Sequence, residues 1–144
     1  MRYDPFNSYT FFLVVAAKRV RERLHHKFLQ AGYDISPEKY GMLVLLSRQE
    51  GMSQQSIADK FEISKVAAFK LITNLEKRGF VIRKPDQKDG RSKLVYLTEQ
   101  GQDMYEKLIV LAQDNLNECG QGIDHEELKI LKTTLRKIID NSQK

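Results

Sequence analysis

The sequence lacks the features that mark exported and membrane proteins. Its only cysteine is Cys119, so no disulfide can form within one chain, and a cytoplasmic location is the simplest expectation. The apolar run 11–17 is far shorter than the ~20 residues that a membrane-spanning helix needs. That run also lacks the basic lead-in and the small-residue cleavage site of a secretion signal. We therefore expect neither export nor a membrane partner.

The sequence also lacks the motifs of catalysis and metal binding. It contains no glycine-rich phosphate loop, no nucleophile elbow and no pair of carboxylates placed for acid–base chemistry. His25 and His26 are adjacent on a predicted helix, so their side chains point about 100° apart and do not suit one metal ion. The third histidine, His125, is distant in sequence. We expect no enzyme activity, no metal site and no cofactor.

Positive charge, by contrast, is concentrated in the middle of the chain. The formal net charge is +5, but residues 64–93 alone hold nine Lys or Arg against three Asp or Glu. Residues 99–144 are acidic, with six basic side chains against nine carboxylates. A local excess of this size attracts a polyanion such as nucleic acid.

Apolar residues recur every three to four positions over most of the chain, which predicts a mostly α fold. Ser36, Ser53 and Ser64 each stand where a helix would begin, and their hydroxyls suit the N-cap position. The third and fourth helices are short and separated by little more than Glu62-Ile63, as in a helix-turn-helix. The predicted helices are 6–31, 37–49, 54–61, 65–78, 99–119 and a last one that begins near Asp124.

Two short segments rich in β-branched and aromatic residues, 80–84 and 93–97, flank a polar stretch that contains Asp and Gly. They predict the two strands of a β hairpin, which is the wing of a winged helix-turn-helix. A helix pair followed by a basic hairpin is suited to holding double-stranded DNA by two grooves at once.

The terminal helices carry apolar stripes longer than the central module could cover, so we expect them to pack against a second copy. A two-fold homodimer would present two recognition helices to successive major grooves, roughly 34 Å apart. The expected organisation is a single domain over 1–144. Its winged-helix DNA-binding module is 36–98, and its helical dimerisation region is 1–35 together with 99–144.

Five segments between residues 36 and 101 resemble the MarR (multiple antibiotic resistance regulator) family of winged helix-turn-helix transcription factors. The resemblance implies a homodimer that binds partly palindromic operators, usually represses transcription, and is often released by a small aromatic effector. The segments are Ser36-Pro37-Glu38-x-Tyr40, Ser53-Gln54-x-x-Ile57-Ala58, Leu75-Glu76-Lys77-Arg78-Gly79-Phe80-Val81, Asp86-x-x-Asp89-Gly90-Arg91-Ser92-Lys93 and Leu97-Thr98-Glu99-x-Gly101.

By this resemblance Arg91 is the wing arginine that enters the minor groove, where A·T-rich DNA concentrates negative potential. The recognition helix departs from the family, because Val66, Ala67 and Phe69 replace small hydroxyl residues. The customary arginine is here Lys70. Val66 is expected to face DNA and Phe69 either DNA or the core, and apolar groups there can meet thymine methyls. The candidate DNA contacts are Gln54, Gln55, Lys65, Val66, Lys70, Thr73, Asn74, Lys84, Lys88, Arg91 and Lys93.

The resemblance also implies an effector pocket between the terminal helices and the winged module. Its candidate lining residues, of types that are more often plain core, are Tyr9, Phe12, Leu13, Ala16, Tyr40 and Leu43. Two alternatives to an effector-released regulator stay open. The chain could be a protein-interaction module with weak DNA binding, or a redox-responsive regulator that acts through Cys119.

Overall fold

Six α-helices and a small antiparallel sheet form the chain in a computed structural model, which describes residues 2–143. The mostly helical winged-helix prediction is confirmed. In chain order the elements are a 3-10 turn Pro5–Asn7, α1 Tyr9–Gln30, α2 Pro37–Arg48, β1 Met52–Ser53, α3 Gln54–Phe61, α4 Lys65–Lys77, β2 Val81–Pro85, β3 Lys93–Leu97, α5 Glu99–Cys119 and α6 His125–Asn141.

Side-chain caps fix where the helices begin. Ser36 accepts a hydrogen bond from the Lys39 backbone N–H at 3.3 Å, and Ser64 accepts one from Ala67 at 3.1 Å. Each cap satisfies one of the N–H groups that the first turn of a helix leaves unpaired. Ser53, Thr98 and Asp124 cap α3, α5 and α6 in the same way.

The structure differs from the prediction at the first helix. The predicted helix starts at Phe6, whereas α1 starts at Tyr9. The Ser8 hydroxyl caps α1 by accepting from the Phe11 N–H at 3.3 Å, and Asp4 caps a separate 3-10 turn that has Pro5 in its first position. Polar side chains that compete for backbone N–H groups thus divide one apolar pattern into two elements.

The sheet has three strands rather than the two predicted. Its order is β1-β3-β2, and the two residues of β1 pair with Leu94 and Val95 of β3. A two-residue strand is too short to show a period of two in the sequence, which is why β1 was not predicted. In the hairpin itself Arg83 lies opposite Val95, and the loop 86–92 forms the tip.

One core unites the helix-turn-helix, the sheet and α5, whereas α6 lies outside it. Within the described residues, no side chain of α6 is buried. Among the helices in that same part of the chain, none is both long and apolar enough to cross a membrane. The fully buried residues of the core include Phe28, Met42, Leu43, Ile57, Ile72, Leu75, Val95 and Leu108.

A close contact fastens α5 to the root of the wing. The Thr98 hydroxyl donates to the Gly79 carbonyl at 2.6 Å and accepts from the Gly101 N–H at 3.0 Å. A β carbon at Gly101 would lie 2.0 Å from the Phe80 carbonyl oxygen. Only glycine permits this approach, so the start of α5 is held directly against the segment that joins α4 to β2.

Candidate nucleic-acid interface

The outward face of α4 carries basic and apolar side chains together. Ala68, Ile72 and Leu75 are buried, which turns the opposite side of the helix to solvent. Val66 is 63% exposed and faces outward as predicted. Phe69 is 51% exposed, so the alternative that it belongs to the core is wrong. The candidate contacts Lys65 and Lys70 are exposed on the same helix.

Arg83 of β2 ties the wing to this helix, and the sequence analysis did not identify it. Its guanidinium donates to Glu76 Oε1 at 2.7 Å and to Thr73 Oγ1 at 3.1 Å. The Arg83 backbone N–H also donates to Glu76 Oε2, at 3.2 Å, and the guanidinium carbon lies 5.0 Å from the centre of the Phe69 ring. These contacts neutralise Arg83 with a carboxylate and hold one face of the Phe69 ring.

Two further candidates on α4 are less exposed than expected. Thr73 is half-buried and accepts a hydrogen bond from Arg83, which leaves its own hydroxyl hydrogen free to donate. Asn74 is also half-buried, and its Oδ1 atom is buried without a hydrogen-bond partner. The amide oxygen of Asn74 is therefore not presented to a DNA groove in this conformation.

The hairpin tip is braced by its own aspartates. Asp89 Oδ1 accepts from the Arg91 backbone N–H at 3.1 Å, and Asp89 Oδ2 accepts from the Ser92 hydroxyl at 3.2 Å. Asp86 accepts from the Lys88 N–H at 3.0 Å. The acidic side chains thus shape the loop, while the side chains of Lys88 and Arg91 remain exposed at its end.

The two remaining lysines of the hairpin lie on different faces of the sheet. Lys93 lines a cleft of about 480 Å³ together with Phe69, Arg83 and Gln54, so it lies on the recognition-helix side. The Lys84 ammonium instead lies 5.3 Å from the centre of the Tyr96 ring. Because neighbouring residues of a strand point to opposite faces, Lys84 is turned away from the face that Arg83 occupies. The structure brings Lys93, but not Lys84, to α4.

The two glutamines at the start of α3 are engaged within the protein. Gln54 Nε2 donates to the Lys65 carbonyl at 3.3 Å and so links the first turns of α3 and α4. Gln55 Nε2 donates to Asp59 at 2.7 Å, one helical turn further on. Because an amide Nε2 carries two hydrogens, each side chain can keep this bond and still donate its second N–H to a phosphate.

The six residues predicted for an effector pocket do not surround one cavity. Tyr9 and Phe12 are exposed, whereas Leu43 is fully buried in the core. Tyr40 packs edge-on against Phe28 with ring centres 5.3 Å apart, and its burial raises the pKa of its phenol. Leu13 is half-buried and Ala16 exposed on α1.

A different cavity lies between α1 and the helix-turn-helix. It has a volume of about 370 Å³, and the Arg21–Glu38 ion pair contributes to its lining. A neighbouring cleft of about 500 Å³ shares the same two residues. This site was not predicted, because the pair that contributes to it joins two different helices, α1 and α2. The other residues that line the smaller cavity are Pro37, Gly41, Phe61, Ile63 and Leu71.

Cys119 lies half-buried at the end of α5, beside a charged cluster that connects α5 to α1. Its sulfur is 3.9 Å from Asn115 Oδ1. In the cluster Glu118 accepts hydrogen bonds from Lys27, at 2.7 Å, and from Arg23, and these bonds lower the pKa of the Glu118 carboxyl. No group of three or more potential metal-binding side chains occurs among residues 2–143.

Comparison with known proteins finds a family model that matches the central module and relatives that match most of the chain. Residues 35–93 match the family model described as MarR family. An uncharacterized HTH-type transcriptional regulator of Bacillus cereus is 26% identical over 152 residues, covering 100% of this chain and 96% of that protein. The HTH-type regulator YwaE of Bacillus subtilis is 29% identical over 126 residues, covering 88% of this chain and 73% of YwaE.

Solved structures share the fold over nearly the whole chain. A MarR family regulator from Rhodococcus sp. RHA1 superposes with a TM-score of 0.85 at 23% identity, covering 95% of this chain and 96% of that one. BpsR of Bordetella bronchiseptica gives a TM-score of 0.88 at 20% identity, covering 97% and 99%. A mutant MarR from E. coli in complex with operator DNA gives 0.85 at 21% identity, covering 94% and 99%. At these identities the likeness establishes the fold.

Proposed function

We propose that the chain is a MarR family winged helix-turn-helix transcriptional regulator, and that it is a homodimeric repressor released by a small-molecule effector. The dimer binds a partly palindromic operator in double-stranded DNA. Residues 36–98 of each subunit form the DNA-binding module, and residues 1–35 and 99–144 form the dimerisation region.

The main observation that supports DNA binding is that both α4 and the hairpin tip carry exposed basic side chains. On α4 the buried stripe leaves Lys65 and Lys70 exposed, and at the hairpin tip Lys88 and Arg91 are exposed. Lysines that neutralise phosphates release counterions and supply affinity that falls with salt. In this arrangement Lys70 contacts base edges in the major groove, and Arg91 inserts into the adjacent minor groove.

The homodimer is supported by apolar side chains that one subunit leaves in water. In the N-terminal segment Phe6 and Tyr9 are 74% and 64% exposed. On α6 Ile130 and Ile139 are each 62% exposed, and Leu131 is 48% exposed. Large apolar side chains left exposed in this number suit an interaction site, and a two-fold interface would cover the same residues on both subunits.

Release by an effector is supported by two structural relatives and by the cavity at the Arg21–Glu38 pair. One relative is described as regulated in DNA binding by 6-hydroxynicotinic acid, and CouR of Rhodococcus jostii RHA1 is described as bound to p-coumaroyl-CoA. We place the effector in the cavity between α1 and the helix-turn-helix, where Phe61 supplies an aromatic wall. The exposed residues Tyr9 and Phe12 contribute to such a site only where a second subunit encloses them.

A second candidate function is supported by Val66 and Phe69, because exposed apolar groups on a recognition helix also suit a protein partner. Fluorescence anisotropy distinguishes the two functions. The purified protein is titrated with DNA from upstream of its own gene and with scrambled DNA over a salt series. Selective binding that weakens steeply with salt supports the regulator, and no binding at low salt favours the interaction module.

A further inference from the structure

Two apolar side chains stand next to each other on the face of α4 that is proposed to enter the major groove. Val66 and Phe69 are 63% and 51% exposed. Residues three positions apart on a helix are neighbours on its surface, so the two side chains form one apolar patch. Exposed lysines adjoin this patch, with Lys65 before Val66 and Lys70 after Phe69. The patch is therefore set within a cationic surface.

The Phe69 ring is held in place rather than free. The Arg83 guanidinium lies 5.0 Å from the ring centre, and it is fixed in turn by Glu76 at 2.7 Å and Thr73 at 3.1 Å. These bonds run between α4 and β2, so the ring position depends on the packing of the wing against the helix. A preorganised apolar group loses little conformational entropy when it binds.

The chemistry of the patch selects one feature of DNA. Neither side chain can donate or accept a hydrogen bond, so the patch cannot read the polar edges of guanine, cytosine or adenine. Thymine alone presents a methyl group in the major groove. We infer that Val66 and Phe69 form a reading surface for the 5-methyl groups of thymine, an inference that rests on the proposed function and names the sequence class of the operator.

The test compares DNA duplexes that differ from one another by single methyl groups. Duplexes that bind the wild-type protein are first selected from a random pool. Each thymine of a selected half-site is then replaced in turn by deoxyuridine, which keeps the pairing with adenine and removes only the methyl group. We expect binding to weaken roughly fourfold at one or two positions in each half-site, the effect of losing one buried methyl-sized group.

Protein variants assign that effect to the patch. The Val66→Ser variant and the Phe69→Ser variant should each lose the preference for thymine at one sensitive position. At that position, duplexes with thymine and with deoxyuridine should bind the variant with equal affinity. Ile82→Ser is the matched control, because Ile82 is 41% exposed and precedes Arg83 on β2, so it points to the opposite face of the strand. The Ile82→Ser variant should keep the wild-type ratio at every position.

The outcomes separate the two proposals. Selective binding with equal affinity for thymine and deoxyuridine at every position overturns the reading surface and leaves the regulator in place. Selected sites that contain no thymine in the half-site would also overturn the reading surface and leave the regulator in place. A pool that yields no selected sequence overturns the proposed function, and the inference with it. The main comparison uses wild-type protein, so it does not depend on whether a variant folds.

Discussion

The winged module and the terminal helices accommodate their apolar residues in different ways. In the module, side chains such as Ile57, Ile72 and Val95 are fully buried within one subunit. On α6 and in the N-terminal segment, comparable side chains such as Ile139 and Phe6 remain more than half exposed. The module is therefore closed within one subunit, with Phe28 of α1 and Leu108 of α5 in its core, whereas α6 and the N-terminal segment have a surface that a second subunit would complete.

The winged module and the terminal helices are therefore suited to different roles, the module to a fixed geometry and the terminal helices to assembly. A module whose core is closed within one subunit can hold α4 and the wing in a fixed relation, as the contacts of Arg83 with Glu76 and Thr73 indicate. The terminal helices do not need a complete core of their own if assembly buries them. Substitutions that act on one region, on the other, or on the joint between them should therefore have separable effects.

The largest effect is expected at the joint, with Gly101→Ala. A β carbon there would meet the Phe80 carbonyl oxygen at 2.0 Å, so α5 or the root of the wing must shift. We expect the free energy of unfolding to fall by about 3 kcal/mol, as for severe overpacking of a core. Urea denaturation measures this change. Gly90→Ala is the control, because a β carbon at Gly90 has no neighbour within 4 Å; equal stability of the two variants would contradict the account.

The next largest effect is expected from a matched pair of substitutions, one in the terminal helices and one in the winged module. Leu131 on α6 and Phe69 on α4 are 48% and 51% exposed. Leu131→Asp should weaken dimerisation at least 100-fold, about 2.7 kcal/mol, because a carboxylate would be buried in the proposed interface. Phe69→Asp should leave the dimer intact and impair DNA binding. Sedimentation velocity measures the first effect and anisotropy the second. A dimeric Leu131→Asp protein would remove α6 from the interface.

A smaller effect is expected at the tip of the wing. Arg91→Ala should weaken operator binding roughly tenfold and reduce its salt dependence by about one phosphate contact, while the dimer stays intact. Arg48→Ala serves as the control, because Arg48 is exposed but lies outside the basic block 64–93. Fluorescence anisotropy at several salt concentrations measures both variants. The wing would have no part in binding if the affinity of Arg91→Ala equalled that of the wild type.

A pH-dependent effect is expected where α1 meets α5. Hydrogen bonds from Lys27 and Arg23 lower the pKa of Glu118 below its ordinary value of 4.5. The ionised carboxylate therefore stabilises the folded chain at neutral pH, and this contribution is lost as the pH falls through the lowered pKa. Thermal unfolding between pH 7 and pH 3 should show a smaller acid-induced loss for Glu118→Gln than for the wild type. Parallel curves for the two proteins would contradict this role.

The smallest effect is expected at Cys119. The thiol is half-buried and its contact with Asn115 Oδ1 is long, 3.9 Å. Cys119→Ser should therefore leave DNA affinity unchanged, both before and after treatment with hydrogen peroxide. Loss of operator binding in peroxide-treated wild-type protein, absent from the serine variant, would establish the redox-responsive alternative.

Features that depend on local sequence were predictable. The starts of α2, α3 and α4 were predicted from their N-cap residues, Ser36, Ser53 and Ser64. Such a prediction is possible because an N-cap and the apolar stripe that follows it act within one or two helical turns. The position of Val66 on the outer face follows from the same periodicity. Helical spacing alone could not place Phe69, because a residue at the flank of a stripe is assigned to solvent or core by what packs beside it.

Features that depend on distant partners were not predictable. The pairing of β2 with β3 was predicted, but the role of Arg83 also requires the packing of the hairpin against α4, which leaves no pattern in the sequence. The same applies to the Arg21–Glu38 pair and to the direction of Lys84. The effector pocket stays a prediction: within one subunit Leu43 is buried in the core, whereas Tyr9 and Phe12 are exposed.

The contact between Gly101 and Phe80 couples the tilt of α5 to the orientation of the winged module. A helix that runs from Glu99 to Cys119 is about 31 Å long. A tilt of about 5° at the fastened end displaces its far end by about 3 Å over that length. Because the fastened end holds Gly79 and Phe80, which join α4 to β2, the recognition helix and the wing must turn together with α5. If a dimer held the C-terminal ends of both α5 helices fixed, such a tilt would change the distance between the two recognition helices. DNA has a fixed helical repeat, so binding tolerates little change in that distance.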